Sequence, residues 1–279
     1  MALYKMAVWK EIYEAVADRI KEEDKAFELA DTRFGQARKW LVERADLNSD
    51  WLVLDIGFGQ GNLSIELAST LKRGNVVGID LLHENITTGV ARWIAKKLGV
   101  EGRIALVNSD STKLPFKDAA FDAVVSFLAL QNIKNTRGNT GVLATIDEAC
   151  RAVKKDGVIA IADNSFPCCR PKGDQGKLFE AIKRYWHSLL PSTKELIEQM
   201  KKNGISEVKA LSYDPKESLL PKDAERELKL SVEWSKPLGV EVDFDGFWKE
   251  VREIVRKEGR IYSQVVLLLG TKAKLKRTQ

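Results

Sequence analysis

The sequence has few of the residues that build metal centres, disulfide frameworks and membrane spans. It holds three cysteines and two histidines among 279 residues. Cys150, Cys168 and Cys169 show no CxxC spacing, so we predict no metal site and expect reduced thiols. No run of about 18 apolar residues is present to cross a bilayer. The first 20 residues carry too many charges for a secretory signal, and we therefore expect a cytoplasmic protein.

A strong charge of either sign is also missing. Lysine and arginine number 45 against 40 acidic residues, for a net charge of +5. That excess permits an RNA or acidic partner without demanding one. His83 and His187 fit a helix-start residue and a surface or pocket-wall residue better than they fit bases. The sequence therefore predicts no catalytic side chain and leaves the oligomeric state open.

The chain is organised around a glycine-rich stretch at residues 51–62, WLVLDIGFGQGN. Four apolar residues lead into Asp55, and glycine follows at every second position: Gly57, Gly59 and Gly61. This pattern predicts a buried strand, a turn closely approached by a ligand, and a helix. A second apolar run, NVVGID, ends in Asp80, where a carboxylate is placed to accept hydrogen bonds from a ribose diol.

Asp55 and Asn62 decide which nucleotide cofactor suits this turn. A dinucleotide fingerprint requires glycine where this chain has Asn62. The Asp55 carboxylate at the mouth of the strand would repel a pyrophosphate, but it suits a ligand with a cationic amino-acid end. S-adenosylmethionine is such a ligand.

Four segments, LDIGFGQG, GID, NSDSTKLPF and FDAVVSF, together resemble the class I S-adenosylmethionine-dependent methyltransferases over roughly residues 30–165. The pattern looks most like their quinone-biosynthesis and small-molecule branch. The resemblance implies an α/β, Rossmann-like doubly wound sheet, mostly parallel with an antiparallel last strand. It implies S-adenosyl-L-methionine as the cofactor, held by Asp55, Gly57, Phe58, Gly59, Gly61, Asp80, Leu81, Asp110, Ser111 and Phe127.

Individual roles follow from the residue types and from the resemblance. Asp55 with neighbouring backbone groups would receive the ammonium, the glycines would let the backbone approach the methionine part, and Asp80 would bind the ribose. The resemblance assigns Asp110 to the adenine amine, with the Ser111 amide nearby. A turn cap is the alternative for Asp110, since Ser-Asp-Ser is also a capping sequence.

Acceptor contacts are predicted beyond the next two strands. In the resembling family the residues after FDAVVSF face the transferred methyl group, which makes Gln131 and Asn132 substrate candidates in a loop. Asp163, at the end of strand 158–163, and Asn164 and Arg170 in the loop after it are further candidates. The alternatives are local backbone contacts for the two amides and simple solvation for the arginine. The Asn/Asp-Pro-Pro-Tyr/Phe signature of enzymes that methylate base amino groups is missing.

The predicted organisation has four parts. Residues 1–48 form an amino-terminal helical cap whose Tyr4, Trp9, Tyr13 and Phe34 are candidate pocket residues or plain core. Residues 49–213 and 260–271 form the cofactor-binding core, with a helix at about 140–154, Pro191 as an early-helix residue and one last strand at 260–270. Residues 214–259 form a helical insertion anchored by Trp234 and Trp248, and 272–279 form a basic tail.

Three function classes remain in view. The leading prediction is methyl transfer to a small-molecule or protein acceptor. An RNA methyltransferase is favoured by the basic isoelectric point and tail but opposed by the missing Pro-Pro signature. The third class, an NAD-dependent oxidoreductase, is opposed by Asp55 and Asn62. Outside these three classes, a cofactor-binding module without activity stays open.

Overall fold

The computed structural model describes residues 34–82, 95–96 and 98–273. Tyr4, Trp9, Tyr13 and His83, with most of the predicted cap and tail, lie outside these residues. The described strands are β1 Leu52–Ile56, β2 Asn75–Asp80, β3 Ile104–Asn108, β4 Phe121–Phe127, β5 Val153–Asp163, β6 Ile205–Tyr213, β7 Ser218–Leu219, β8 Arg260–Ile261 and β9 Val265–Lys272. Seven of them form one sheet in the order β3-β2-β1-β4-β5-β9-β6, and β7 and β8 form a separate pair.

The first five strands of that order run parallel, and β9 runs antiparallel to both β5 and β6. The predicted fold class, with its antiparallel last strand, is confirmed. Parallel strands need crossover connections, and a sheet covered on both faces reads as near-continuous apolar runs. The central strands β1 and β4 have this character, because Val53, Leu54, Val124 and Val125 are fully buried.

Helices cover both faces of the sheet. The described helices are α1 Gly35–Ala45, α2 Asn62–Thr70, α3 Leu130–Ala152, α4 Gly173–Tyr185, α5 Thr193–Lys202, α6 Pro221–Ser235 and α7 Phe244–Glu258. One apolar cluster joins α3 and α5 to one face, and a second joins α1 and α2 to the other. A third cluster joins α4, α6 and α7 to Tyr262, and the partly buried Phe34 packs against both the second and the third clusters.

Several predicted boundaries are wrong. The helix predicted at about 140–154 is present as the second half of α3, but a first half that was not predicted begins at Leu130, so Gln131 and Asn132 lie in a helical turn rather than in a loop. The non-helical Gly138, at φ 68° and ψ −169°, divides this helix and obscured its amino-terminal half. Pro191 precedes α5 instead of lying within it, because Ser192 is the N-cap and forms a capping box with Glu195.

The carboxyl-terminal region departs from the prediction in two ways. The run at residues 260–270 is not one strand, since β8 pairs with β7 and only β9 joins the large sheet. Trp234 is not an anchor of the insertion, because 37% of it is exposed, and Trp248 is only partly buried. Phe247, at 0% exposure, occupies the centre of that packing instead. Within the described residues, every helix is too short or too polar to span a bilayer.

Candidate functional site

The glycine turn connects β1 to α2 at the carboxyl end of the sheet. Gly57, Gly59 and Gly61 all have positive φ, at 81°, 50° and 84°. A Cβ on Gly57 would lie 2.3 Å from the Cβ of Ala129, so the turn packs directly against the exit of β4. Side chains other than hydrogen are therefore excluded at this position.

The backbone amides of this turn are bonded inside the protein. The amides of Gly57 and Phe58 both donate to the Ile79 carbonyl, and the Gly61 amide donates to the Phe58 carbonyl. The Gly59 amide donates to Asp80 Oδ2 at 2.8 Å. The glycines thus contribute the shape of the backbone and its close approach rather than these four amide donors.

Asp55 is the most unusual carboxylate of the site. It is fully buried at the carboxyl end of β1, and its Oδ2 accepts a hydrogen bond from Ser64 Oγ at 2.7 Å. Its buried Oδ1 has no hydrogen-bond partner among the described residues. Burial raises the pKa of Asp55 to about 7, opposed by the Ser64 hydroxyl and assisted by the nearby Asp80 carboxylate. A cationic amine would supply the missing partner, so this position fits the ammonium of S-adenosylmethionine.

Asp80 lies where β2 ends, as predicted, and ties two segments together. Its Oδ2 holds the Gly59 amide, and its Oδ1 accepts the Leu82 amide at 2.9 Å. Its place at the end of β2, bonded to the glycine turn, is the position that the ribose assignment requires. The next residue, Leu81, is an exposed large apolar side chain at 42% exposure and lies beside the predicted nucleoside site.

Asp110 has contacts that match the predicted alternative of a turn cap. Its Oδ1 accepts the amide and the hydroxyl of Thr112, and its Oδ2 accepts Nε and Nη2 of Arg137 at 3.1 and 3.0 Å. The pKa of Asp110 is lowered, because the hydrogen bonds from Thr112 and Arg137 outweigh its partial burial. The Ser111 hydroxyl bonds to Thr145 Oγ1 on α3. The adenine contact stays a prediction, and sequence reasoning missed Arg137 altogether.

The exit of β4 joins the cofactor side to the predicted acceptor side. Phe127 is half-buried, and Phe34 meets it edge-on with a centroid distance of 6.3 Å. Gln131 turns inward: its Oε1 accepts the Ser165 hydroxyl at 2.8 Å, and its Nε2 donates to the Leu128 carbonyl at 3.4 Å. Asn132, its neighbour on α3, is exposed. The structure therefore brings Gln131, and not Asn132, into contact with the loop after β5.

The two predicted substrate candidates in the loop after β5, Asn164 and Arg170, have different surroundings. Asn164 is 7% exposed, and its Oδ1 accepts the Ser165 hydroxyl at 3.3 Å while its carbonyl accepts the Ser263 hydroxyl. Arg170 instead points to α4, where its Nε lies 2.5 Å from Glu180 Oε1 with both side chains half exposed. The structure places Asn164 beside Gln131 through Ser165, and it pairs Arg170 with an exposed carboxylate.

Asp163 and Lys183 form a buried ionisable pair beside Gln131. Of the two, only Asp163 is a candidate from the sequence. Asp163 ends β5 at 0% exposure, and Lys183 of α4 is 7% exposed. The two oxygens of Asp163 accept the amides of Ser165 and Gln131 at 2.9 and 3.2 Å. Burial raises the pKa of Asp163 against the opposing effect of Lys183, and it lowers the pKa of Lys183 to about 8. Lys183 lies on an amphipathic helix among other charged residues, so no local pattern distinguishes it.

A second buried network lies against the insertion. Arg260 Nη1 pairs with Glu227 Oε2 at 2.7 Å, and the Tyr262 hydroxyl donates to Glu227 Oε1 at 2.6 Å. The Tyr262 ring meets Phe34 edge-on at 5.2 Å between centroids. Phe34, a sequence candidate for the pocket, therefore connects Phe127 to Tyr262.

The fold and the glycine turn define a class of protein. A parallel sheet with one antiparallel strand, and a buried acidic residue before a glycine turn at its carboxyl edge, indicate a nucleoside-cofactor enzyme of the doubly wound kind. The profile of a family described as "Methyltransferase domain" matches residues 47–229. The chain belongs to this methyltransferase family, which confirms the predicted class and S-adenosylmethionine as its cofactor.

Individual relatives match over shorter stretches. The chain is 32% identical over 131 residues to a ubiquinone/menaquinone biosynthesis C-methyltransferase UbiE of Citrifermentans bemidjiense, covering 47% of this chain and 52% of that one. It is 30% identical over 115 residues to a demethylmenaquinone methyltransferase of Clavibacter sepedonicus, covering 41% and 42%. The chain thus spans about half the length of the curated relatives it matches.

Solved structures of the same fold cover more of the chain. A chain from the complex between the Haloferax volcanii Trm112 methyltransferase activator and a methyltransferase superposes with a TM-score of 0.58 at 17% identity. The superposition covers 91% of this chain and 99% of that one. At this identity the similarity establishes the fold alone.

Proposed function

We propose that this protein transfers the methyl group of S-adenosylmethionine to a small-molecule acceptor with a hydroxylated ring. The observation that carries the cofactor half is the buried Asp55 Oδ1, which lacks a hydrogen-bond partner among the described residues beside a turn that only glycine can form. An uncompensated buried carboxylate is costly, and a cationic ligand end offsets that cost. We assign the ribose to Asp80 and the nucleoside surroundings to Phe58, Leu81, Asp110 and Ser111.

The chemistry sets what the protein has to contribute. The bound cofactor supplies a methyl group already activated by a sulfonium. The protein therefore contributes placement and exclusion of water, for which oriented intramolecular reactions set a scale of about 7 to 11 kcal/mol. Gly57 packs on Ala129, which holds the cofactor turn against the exit of β4. In this proposal the acceptor lies beyond the ends of β4 and β5, on the side of Phe127, Gln131 and Asn164.

The acceptor class rests on relatives and on the aromatic surroundings. One relative is named for ubiquinone/menaquinone biosynthesis and the other for demethylmenaquinone. This chain also lacks the Pro-Pro signature of base-amine methyltransferases. Phe34, Phe127 and Tyr262 offer ring faces and edges to a flat apolar molecule. A methyl cation equivalent needs an electron-rich carbon, so we propose the reduced hydroquinone form as acceptor. We also propose that residues 214–259 cover this side of the core.

Calorimetry with S-adenosylhomocysteine and NAD tests the cofactor half. We expect binding of the former and none of the latter; the reverse result would support the oxidoreductase alternative. Asp80→Asn, which keeps one oxygen and removes the charge, should weaken S-adenosylhomocysteine by roughly 2 to 4 kcal/mol. The exposed Asp118→Asn is the matched control. Unchanged affinity in the Asp80 variant would refute the ribose assignment.

Transfer of a labelled methyl group tests the acceptor half. We expect counts to enter reduced short-chain demethylmenaquinone and the small-metabolite fraction of a cell extract. Counts found in tRNA, together with salt-dependent retention on it, would instead support the RNA alternative. Counts confined to protein would refute the small-molecule acceptor.

A further inference from the structure

The amine of Lys183 is held by two neutral acceptors at the centre of the proposed acceptor side. Its Nζ donates to Ser165 Oγ at 2.6 Å and to Gln131 Oε1 at 3.4 Å. An uncharged amine has two N–H groups and one lone pair, whereas an ammonium has three N–H groups and none. The uncharged amine can keep both contacts and still present a lone pair, whereas the charged form is favoured by Asp163 and lies 5.3 Å from the Phe179 ring centroid.

Hydrogen bonds connect the residues around Lys183 with the segments at the carboxyl ends of β4 and β5. Gln131 bonds to the Leu128 carbonyl next to Phe127, and the Ser263 hydroxyl bonds to the Asn164 carbonyl next to Ser165. The Phe34 ring in turn contacts the rings of Tyr262, which precedes Ser263, and of Phe127. Lys183 Nζ itself contacts Ser165 and Gln131, which follow the ends of β5 and β4, and it lies 5.3 Å from the centroid of the Phe179 ring.

We propose that Lys183 is the proton acceptor of the reaction: its uncharged amine, oriented by Ser165 and Gln131, takes the hydroxyl proton of a phenol- or enol-type acceptor during methylation. This inference rests on the proposed function. Among the described residues no histidine is placed for this role, since His187 follows α4 with a positive φ of 50° and makes none of these contacts.

Atoms and electrons balance in this step. The O–H bond of the acceptor breaks, its proton joins the Lys183 lone pair, and the electron pair left on oxygen makes the ring carbon nucleophilic. That carbon bonds to the methyl group as the methyl–sulfur bond breaks, with the electron pair left on sulfur. The ring carbon then loses its hydrogen to water while the oxygen takes a proton back from Lys183. One proton is released in total, and Lys183 ends uncharged.

Titratable groups from three segments act on this amine. Burial is the largest influence on the pKa of Lys183 and lowers it to about 8; Asp163 raises it, Arg260 lowers it, and Cys169 raises it. Arg260 is itself paired with Glu227. A base must be uncharged to act, so the rate should rise with pH and reach half its maximum near pH 8.

Lys183→Met tests the assignment, because it keeps the length of the side chain and removes the amine. With reduced demethylmenaquinone as acceptor, we expect kcat to fall about 100-fold and its rise near pH 8 to disappear. S-adenosylhomocysteine affinity should stay within twofold. Lys177→Met, which removes an exposed amine from the same helix, is the control and should match the wild type. A Lys183→Met enzyme with wild-type kcat and pH profile would overturn the proposal.

Two further measurements separate loss of the amine from loss of the fold. Removing Lys183 leaves Asp163 buried without its cation, so Asp163→Asn/Lys183→Met tests the amine when the single variant does not fold. In protein labelled at lysine Cε, one NMR signal should titrate near pH 8 and be absent from that double variant; its absence from the wild type would also refute the proposal. A wild type that fails to bind S-adenosylhomocysteine refutes the proposed function, whereas normal transfer by the Lys183 variants refutes only the role of Lys183.

Discussion

At the scale of single residues, Asp55 shows how a functional site departs from the rules of a stable core. Burial without a full set of partners disfavours its charged form, and its pKa rises to about 7. A ligand that brings an ammonium to Oδ1 favours the charged form instead. Binding should therefore release a proton wherever free Asp55 is still protonated.

This linkage predicts pH-dependent cofactor binding. At pH 6, one unit below the raised pKa, about nine tenths of Asp55 is protonated and must ionise before an ammonium can pair with it. S-adenosylhomocysteine should accordingly bind about tenfold more weakly at pH 6 than at pH 8. Calorimetry in two buffers of different ionisation enthalpy measures both the affinity and the proton released. Asp55→Asn is the control, with weak and pH-independent binding; a pH-independent wild type would contradict the assignment.

Predictability from sequence differs sharply among these residues. Gly57, Gly59 and Gly61 could be recognised because only glycine takes positive φ freely, and all three do. Lys183 could not be recognised from the sequence, because the residues that surround it belong to β5 and α3, which are distant from it in sequence. Arg137 was hidden for a similar reason, since α3 carries it to Asp110 across 27 residues.

At the scale of elements, α7 is the helix through which the insertion, residues 214–259, packs against α4. Its Phe247 is fully buried, and the ring meets Tyr185 and Trp186 of the α4 end edge-on at 5.6 and 5.0 Å. The sequence pointed to Trp248, one position away, because the larger ring has more apolar surface to bury. On an amphipathic helix one residue is a rotation of about 100°, so the smaller ring faces the cluster.

Phe247→Ala should therefore lower the free energy of unfolding by about 3 to 5 kcal/mol, the usual loss for a buried ring. Urea denaturation measures it. The exposed Lys249→Ala on the same helix should change stability by less than about 0.5 kcal/mol. A loss below about 1 kcal/mol in the Phe247 variant would show that α7 does not hold this cluster together.

At the scale of the whole molecule, the order of apolar runs was enough to predict the sheet, because parallel strands buried on both faces leave continuous apolar segments. The antiparallel β9 also followed from its strong strand pattern together with the family resemblance. The break between β8 and β9 could not be predicted in this way, because Arg260 and Ile261 pair with residues of the insertion. Pairing across about 40 residues is invisible to a local pattern.

In our proposal the cofactor lies at β1 and β2 and the insertion helices α6 and α7 form a cover on α4, so cofactor binding should affect the two regions unequally. At 100 times its dissociation constant, S-adenosylhomocysteine adds about 2.7 kcal/mol to global stability. Locally, amide exchange should slow most in residues 55–62 and 80–82, whose backbone the Asp80 carboxylate links. Residues 221–235 and 244–258 should slow only as far as global unfolding limits their exchange. Hydrogen exchange with mass spectrometry measures both regions; protection confined to α6 and α7 would place the ligand under the cover and not at the glycine turn.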